Sequence, residues 1–123
     1  MREILWVGVG GFIGANARYL IGAWVGTRMG SAFPYGTFVI NISGSFILGV
    51  IMGLVEVRTL SPSFRLAAGV GFVGAYTTFS TFTYETIRLV EDGSSLLALT
   101  NVFGSLLIGL AATIAGLATG RFI

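Results

Sequence analysis

Four long apolar segments make up most of the chain, and short stretches rich in glycine, proline or polar residues separate them. The segments cover residues 4–25, 35–55, 62–91 and 95–119. An α-helix rises about 1.5 Å per residue, so each segment can cross a hydrocarbon core about 30 Å thick. The pattern predicts an all-α membrane protein in which residues 1–123 form one domain of four transmembrane helices.

Local helix signals support the starts of the later segments. Pro34 comes directly before the second segment, where a missing N–H is tolerated. Ser61 and Pro62 are typical of an N-cap followed by the first helical residue. Ser94 and Ser95 follow a glycine and provide the same signal for the fourth segment.

The third segment departs from the pattern near its middle. A continuous helix over 62–91 would be about 45 Å long, which exceeds the hydrocarbon thickness by roughly half. Three glycines lie between residues 69 and 74, and the hydroxyl-rich sequence TTFSTFT follows at 77–83. Because non-helical backbone at membrane depth is tolerated only where protein or water satisfies its polar groups, we predict a buried break near 74–78.

Composition excludes most catalytic chemistry. The chain is 54% hydrophobic and 10% charged, and it has no cysteine and no histidine. Disulfides, thiolate nucleophiles, imidazole bases and metal sites with cysteine or histidine ligands are therefore absent. Five acidic residues leave little material for paired-carboxylate catalysis, and a net charge of +2 is too small for a nucleic-acid surface. We expect neither an enzyme nor a nucleic-acid-binding protein.

The basic residues, all arginine, are divided almost evenly between the two membrane faces. With four spans, both termini share a side with the loop between the second and third helices. That side has Arg2, Arg58, Arg65 and Arg121, and the other has Arg28 and Arg88, with Arg18 near enough to reach it. Such a weak positive-inside bias is compatible with insertion in both orientations, as in an antiparallel homodimer, and also with one orientation.

Close helix packing and self-association are also predicted. Four helices of this length enclose too small an interior for a pathway across the bilayer, so we expect oligomerisation. GxxxG pairs, which let helix backbones approach closely, occur at Gly10 and Gly14, Gly22 and Gly26, Gly49 and Gly53, and Gly116 and Gly120.

Polar side chains within the segments are candidates for an ion pathway, because such residues in membrane helices are functional by default. Asn41 shares a helix face with two hydroxyl residues, and Asn101 shares one with Ser105 in a stripe suited either to line a pathway or to join helices. Phe79 and Phe82 lie among five hydroxyl residues in the third segment. Neutral amide and hydroxyl donors, with aromatic ring edges, suit a small anion better than a cation.

Three motifs in the chain resemble those of the Fluc/CrcB family of fluoride channels. They are GAYTTFSTF at 74–82, GANARY at 14–19 and GTFVIN at 36–41. The resemblance covers essentially the whole chain. It implies a passive fluoride channel that exports cytoplasmic fluoride across the cell inner membrane. It also implies an antiparallel dual-topology homodimer with two fluoride pathways.

The resemblance also implies roles for individual residues. Phe79 and Phe82 correspond to the family's pore phenylalanines, and Asn41 to its pore asparagine. The remaining polar side chains along the pathway are Ser80, Thr81, Glu85 and Ser105. A structural sodium ion at the dimer centre is expected to be held by the main-chain carbonyls of Gly74 and Thr77 from both subunits. Arg18 is expected to be structural. Some members have tyrosine at the position of Asn101, so no role is assigned to it.

Two other kinds of membrane protein share the size of this chain. A small multidrug-type, proton-coupled exporter also has four spans and dual topology, but it needs a carboxylate inside helix one, where this chain has only the terminal Glu3. A non-transporting membrane subunit has no need for a broken helix lined with hydroxyls.

Overall fold

The computed structural model describes residues 1–123 as a series of helices joined by short connections. The helical elements are α1 (Arg2–Met29), α2 (Tyr35–Val57), α3 (Pro62–Arg65), a π-helical segment (Leu66–Val73), α4 (Gly74–Tyr76), α5 (Phe79–Glu91) and α6 (Ser95–Phe122). The all-α prediction is confirmed. Helices α1, α2 and α6 are long and apolar enough to cross a membrane, and the chain is a multi-pass membrane protein.

Glycines with positive φ follow α1 and α5 and allow the chain to turn there. Helix α1 continues past the predicted end at residue 25, because the next strong breaker is Gly30, with φ of 81°. Gly93, with φ of 78°, separates α5 from α6. Ser61 caps α3 as predicted, because its side chain accepts a hydrogen bond from the Phe64 N–H.

Helices α2 and α6 pack backbone to backbone through their glycine pairs. A Cβ atom at Gly116 would lie 2.2 Å from the Phe46 carbonyl oxygen, and one at Gly53 would lie 2.5 Å from the Leu117 carbonyl oxygen. Gly49 and Gly120 make equally close approaches. Side chains at these positions would force the helices apart, so the predicted close-packing role of these two pairs is confirmed.

Helix α1 packs in the same way against the π-helical segment. A Cβ at Gly10 would lie 1.9 Å from the Ala67 carbonyl oxygen, and one at Gly14 would lie 2.2 Å from the Phe72 carbonyl oxygen. The pair formed by Gly22 and Gly26 differs, because open space surrounds Gly26. Within the protomer, Gly26 therefore makes no close helix contact.

The third apolar segment is assembled from several short elements. The π-helical segment continues into α4, which ends at Tyr76. Thr77 and Thr78 then have extended backbone, with ψ of 157° and 117°, and α5 begins at Phe79. These two non-helical residues lie within the range 74–78 in which the sequence predicts a break. The π-helical hydrogen bonding of the preceding turns was not predicted.

Candidate functional site

Asn41 of α2 holds the extended backbone between α4 and α5. Its Oδ1 accepts a hydrogen bond from the Thr78 N–H at 2.8 Å, and its Nδ2 donates to the Thr78 carbonyl at 3.0 Å. Both ends of the amide therefore bind one residue of the interruption. Since an amide nitrogen carries two hydrogens, one N–H of Asn41 is left for another acceptor.

Side chains at the interruption also leave two backbone carbonyls without their helical hydrogen bonds. In a continuous helix, the N–H of Thr78 would bond to the carbonyl of Gly74, and the N–H of Thr81 to that of Thr77. Here, Asn41 accepts from the Thr78 N–H, and the Thr78 hydroxyl accepts from the Thr81 N–H at 3.3 Å. The carbonyls of Gly74 and Thr77 thus lose their regular helical donors.

These two carbonyls have the chemistry of ligands for a hard cation, which prefers oxygen. Gly74 is exposed, and nothing lies within 4 Å of where its Cβ would be. The carbonyl of Thr77 accepts a long hydrogen bond, 3.4 Å, from Nη1 of Arg18, and its second lone pair is left for another partner. The donor set therefore fits a sodium ion. Arg18 points to this backbone and fixes α1 against it.

Hydroxyl groups cluster at the start of α5. Thr78 Oγ1 donates to Thr81 Oγ1 at 2.9 Å and lies 3.4 Å from Ser80 Oγ. Ser80 and Thr81 are exposed. Helix N-termini carry unpaired N–H groups and partial positive charge, so hydroxyls at this end add to a group of donors suited to an anion.

Phe79 and Phe82 form an aromatic pair on the first turn of α5. Their ring centroids are 5.9 Å apart with an interplanar angle of 44°. Phe82 is half-buried, whereas Phe79 is 77% exposed. The protomer therefore leaves most of Phe79 uncovered.

A polar cavity of about 550 Å³ leads to the interruption from one end of the molecule. Its inner wall includes Arg18, Thr78, Thr81 and Glu85, and Arg88 lies on the same lining. One Glu85 carboxylate oxygen is buried without a hydrogen-bond partner. The cavity brings Arg18, Thr81 and Glu85 together, but its walls do not include Asn41, Ser80, Phe79, Phe82 or Ser105.

Ser105 belongs to a different polar group, between α5 and α6. Its hydroxyl donates to Oδ1 of Asn101 at 3.4 Å, and Nδ2 of Asn101 donates to Oγ1 of Thr86 at 2.9 Å. Thr86 was not singled out from the sequence. The available signal was its spacing, four residues after Phe82, which places both residues on one face of the helix.

Comparison with known proteins gives consistent matches along the chain. The model of the family described as CrcB-like protein, camphor resistance, matches residues 5–117. A protein of Acidobacterium capsulatum named fluoride-specific ion channel FluC is 46% identical over 122 residues, covering 98% of each chain. A protein of Geotalea daltonii with the same name is 46% identical over 124 residues, covering 100% of each chain. A protein of Moorella thermoacetica named fluoride-specific ion channel FluC 2 is 49% identical over 106 residues, covering 86% of each chain.

Proposed function

The chain belongs to the CrcB-like family, and on that premise we propose that it is a fluoride-selective passive ion channel rather than an enzyme. The observation that carries the proposal is its 46% identity, over 98% of its length, to a relative named fluoride-specific ion channel. The chemistry at the start of α5 supports the assignment, because its donors are amide, hydroxyl and backbone N–H groups.

Neutral donors favour fluoride for a physical reason. Fluoride is small and strongly hydrated, so it needs several close hydrogen bonds in place of its water. Asn41 contributes one free N–H, Ser80 and Thr81 contribute hydroxyls, and the edges of Phe79 and Phe82 carry positive quadrupolar charge. Chloride is larger and gains less from such a narrow set of donors. Neutral donors beside the aromatic pair also hold the anion less strongly than a cationic side chain would, so they release it readily.

Two copies of the chain, arranged as an antiparallel homodimer in dual topology, complete the pathways. Several features of one protomer support this assembly. The ring of Phe79 is 77% exposed, α5 has no buried residue, and Ser105 lies outside the cavity that contains Thr81. A second copy would cover these groups and create two equivalent fluoride pathways.

A sodium ion at the centre of the dimer is also proposed, with the carbonyls of Gly74 and Thr77 from both copies as ligands. When bound, the ion supplies positive charge near the pathways and links the two subunits. The chain's own part is to free those carbonyls, which Asn41 and the Thr78 hydroxyl do by taking the N–H groups that would otherwise bond to them.

Fluoride would enter through the polar cavity beside Arg88 and Arg18, pass the hydroxyl of Thr81, and reach the aromatic pair at the start of α5. In the inner membrane, the membrane potential would drive the anion out of the cell. Neutral HF crosses bilayers and dissociates inside, so a passive pathway for the anion is sufficient for export.

Flux measurements in liposomes test the proposal. Purified protein reconstituted at low density should release fluoride rapidly and chloride barely, without ATP or a proton gradient. Proton-coupled uptake of a cationic drug without fluoride flux would favour the small multidrug-type exporter instead. Absence of any flux from correctly assembled protein would favour a non-transporting subunit.

A further inference from the structure

Helix α5 carries both phenylalanines of the proposed pathway, yet none of its residues is buried within the protomer. Side-chain packing within one chain therefore does little to fix the rotation of α5 about its own axis. Its hydrogen bonds to neighbouring helices provide the missing constraint. Asn41 holds the residue before the helix, Thr78, and Asn101 of α6 holds Thr86 further along.

We propose that Asn101 is a positioning residue that sets the rotation of α5, and with it the placement of the Phe82 ring, through Thr86. This inference rests on the proposed function as a fluoride channel, and it concerns how this chain places its aromatic pair. Asn101 does not line the cavity, and its side-chain hydrogen bonds involve Thr86 and Ser105, so it acts on Phe82 through Thr86.

The burial of Asn101 supports this role. Its side chain is 1% exposed and is the largest one that is fully buried. A buried amide without partners is strongly unfavourable, so the site is stable only while partners face it. Nδ2 finds its partner in Thr86, which lies 15 residues earlier in the chain on another helix.

Thr86 passes the constraint directly to the residue that carries the ring. Its Oγ1 accepts from Asn101 at 2.9 Å and donates to the Phe82 carbonyl at 2.7 Å. Ser105 donates to the other end of the Asn101 amide at 3.4 Å. Three hydrogen bonds thus connect Ser105 of α6 to the backbone of Phe82, and a rotation of α5 would break the central bond.

Single substitutions at the two ends of that central bond test the proposal. Asn101→Leu and Thr86→Val remove the bond with little change in volume. Thr100→Val is the matched control, because Thr100 is exposed and its hydroxyl bonds only to the Leu96 carbonyl of its own helix. Reconstitution at about one channel per liposome separates two quantities, the fraction of active liposomes and the fluoride flux of each active liposome.

We expect Asn101→Leu and Thr86→Val to lower the flux per active liposome about fivefold, the order of a lost neutral hydrogen bond. The active fraction should stay as in the unchanged protein, because a fall there reports lost folding or assembly. The double variant should lose no more flux than the stronger single variant, because both changes remove one interaction. Multiplying losses, or unchanged flux in both single variants, would overturn the proposal.

A spectroscopic measurement decides the placement independently of flux. With 4-fluorophenylalanine at position 82, the ¹⁹F resonance should shift or broaden in Asn101→Leu and Thr86→Val but not in Thr100→Val. Identical spectra in all variants would show that Asn101 does not position the ring. If the proposed function is wrong, the unchanged protein will carry no fluoride. The ¹⁹F spectra of the variants will still show whether Asn101 positions the Phe82 ring. If Asn101→Leu does not fold, Thr86→Val provides the same readouts.

Discussion

Asn41 combines two tasks in one side chain. One N–H and the carbonyl of its amide bind Thr78, and this pairing leaves the Gly74 carbonyl without its helical donor. The second N–H remains for an anion. The residue that shapes the interruption is therefore also a candidate to contact fluoride, and its amide nitrogen serves both roles.

Asn41→Asp keeps an acceptor for the Thr78 N–H but removes both amide N–H groups, the free one and the one that donates to the Thr78 carbonyl, and adds negative charge. We expect fluoride flux per active liposome to fall at least about tenfold, since a charge-assisted hydrogen bond to the anion is lost and a like charge faces it. Thr119→Val is the control, because that hydroxyl is exposed and bonds only to Ala115 of its own helix. Normal fluoride flux in Asn41→Asp would exclude the amide from the pathway.

Phe82→Ile keeps an apolar side chain but removes the aromatic edge. We predict up to about tenfold lower fluoride flux, the upper range for an interaction that depends on an aromatic quadrupole. The dimer should stay assembled, which size-exclusion chromatography with light scattering checks. Phe103→Ile provides the control on α6, where the ring is 56% exposed. Unchanged flux in Phe82→Ile would remove this ring from the pathway.

For single residues, the sequence predicts which side chains are chemically important better than it predicts their hydrogen-bond partners. Asn41 was singled out because an amide inside a membrane helix needs a partner, but its pairing with Thr78 depends on the extended backbone there. Thr86 was missed because a threonine in a helix ordinarily bonds to its own backbone, as it also does here. Its second partner, Asn101, is set by how α5 and α6 meet.

Glycine determines how closely the helices approach each other. The four-residue spacing of the glycines was sufficient to predict close approach at the pairs on α2 and α6, because a GxxxG pair forms a flat strip on one helix face, but it did not identify these two helices as partners. It was not sufficient for Gly26, around which the protomer leaves open space, since spacing does not specify which face meets a neighbour. The π-helical segment was not predictable either, because hydrophobic patterns do not distinguish hydrogen bonding to the fourth residue from bonding to the fifth.

Gly116→Ala tests this packing. Its Cβ would lie 2.2 Å from the Phe46 carbonyl oxygen, so α2 and α6 would have to separate. We predict a loss of stability of at least about 1–3 kcal/mol, as for overpacking in a dense core. Thermal unfolding in detergent, followed by circular dichroism, measures it.

Gly26→Ala is the matched control, because nothing lies within 4 Å of the new methyl group. Alanine is favoured over glycine in helices by up to about 1 kcal/mol, so this variant should be as stable as the unchanged protein or slightly more stable. Equal thermal stability of Gly116→Ala and the unchanged protein would contradict the interlocked α2–α6 packing.

The whole molecule presents more apolar surface than one protomer can cover. Only 17 of 123 residues are buried, and α5 has none of them. Lipid covers much of this surface, but it cannot satisfy the Gly74 carbonyl or the second lone pair of the Thr77 carbonyl, and unsatisfied backbone groups are strongly unfavourable in hydrocarbon. A second copy related by antiparallel symmetry would place two such pairs of carbonyls opposite each other, where one cation satisfies all four.

A positive charge at Ala75, between these carbonyls in the sequence, tests this assembly. Ala75→Arg would repel the proposed sodium ion and place a long cationic side chain at the centre of the dimer. We predict loss of the dimer in light scattering and at least about tenfold fewer active liposomes, because an uncompensated charge inside a membrane protein costs several kcal/mol. Ala32→Arg is the control, since Ala32 is exposed in the connection between α1 and α2.

The dependence of the dimer on sodium gives the second readout of this assembly. Replacing sodium with a large organic cation should weaken the unchanged dimer and leave Ala75→Arg unaffected, whereas a normal dimer that retains sodium in Ala75→Arg would place the cation elsewhere.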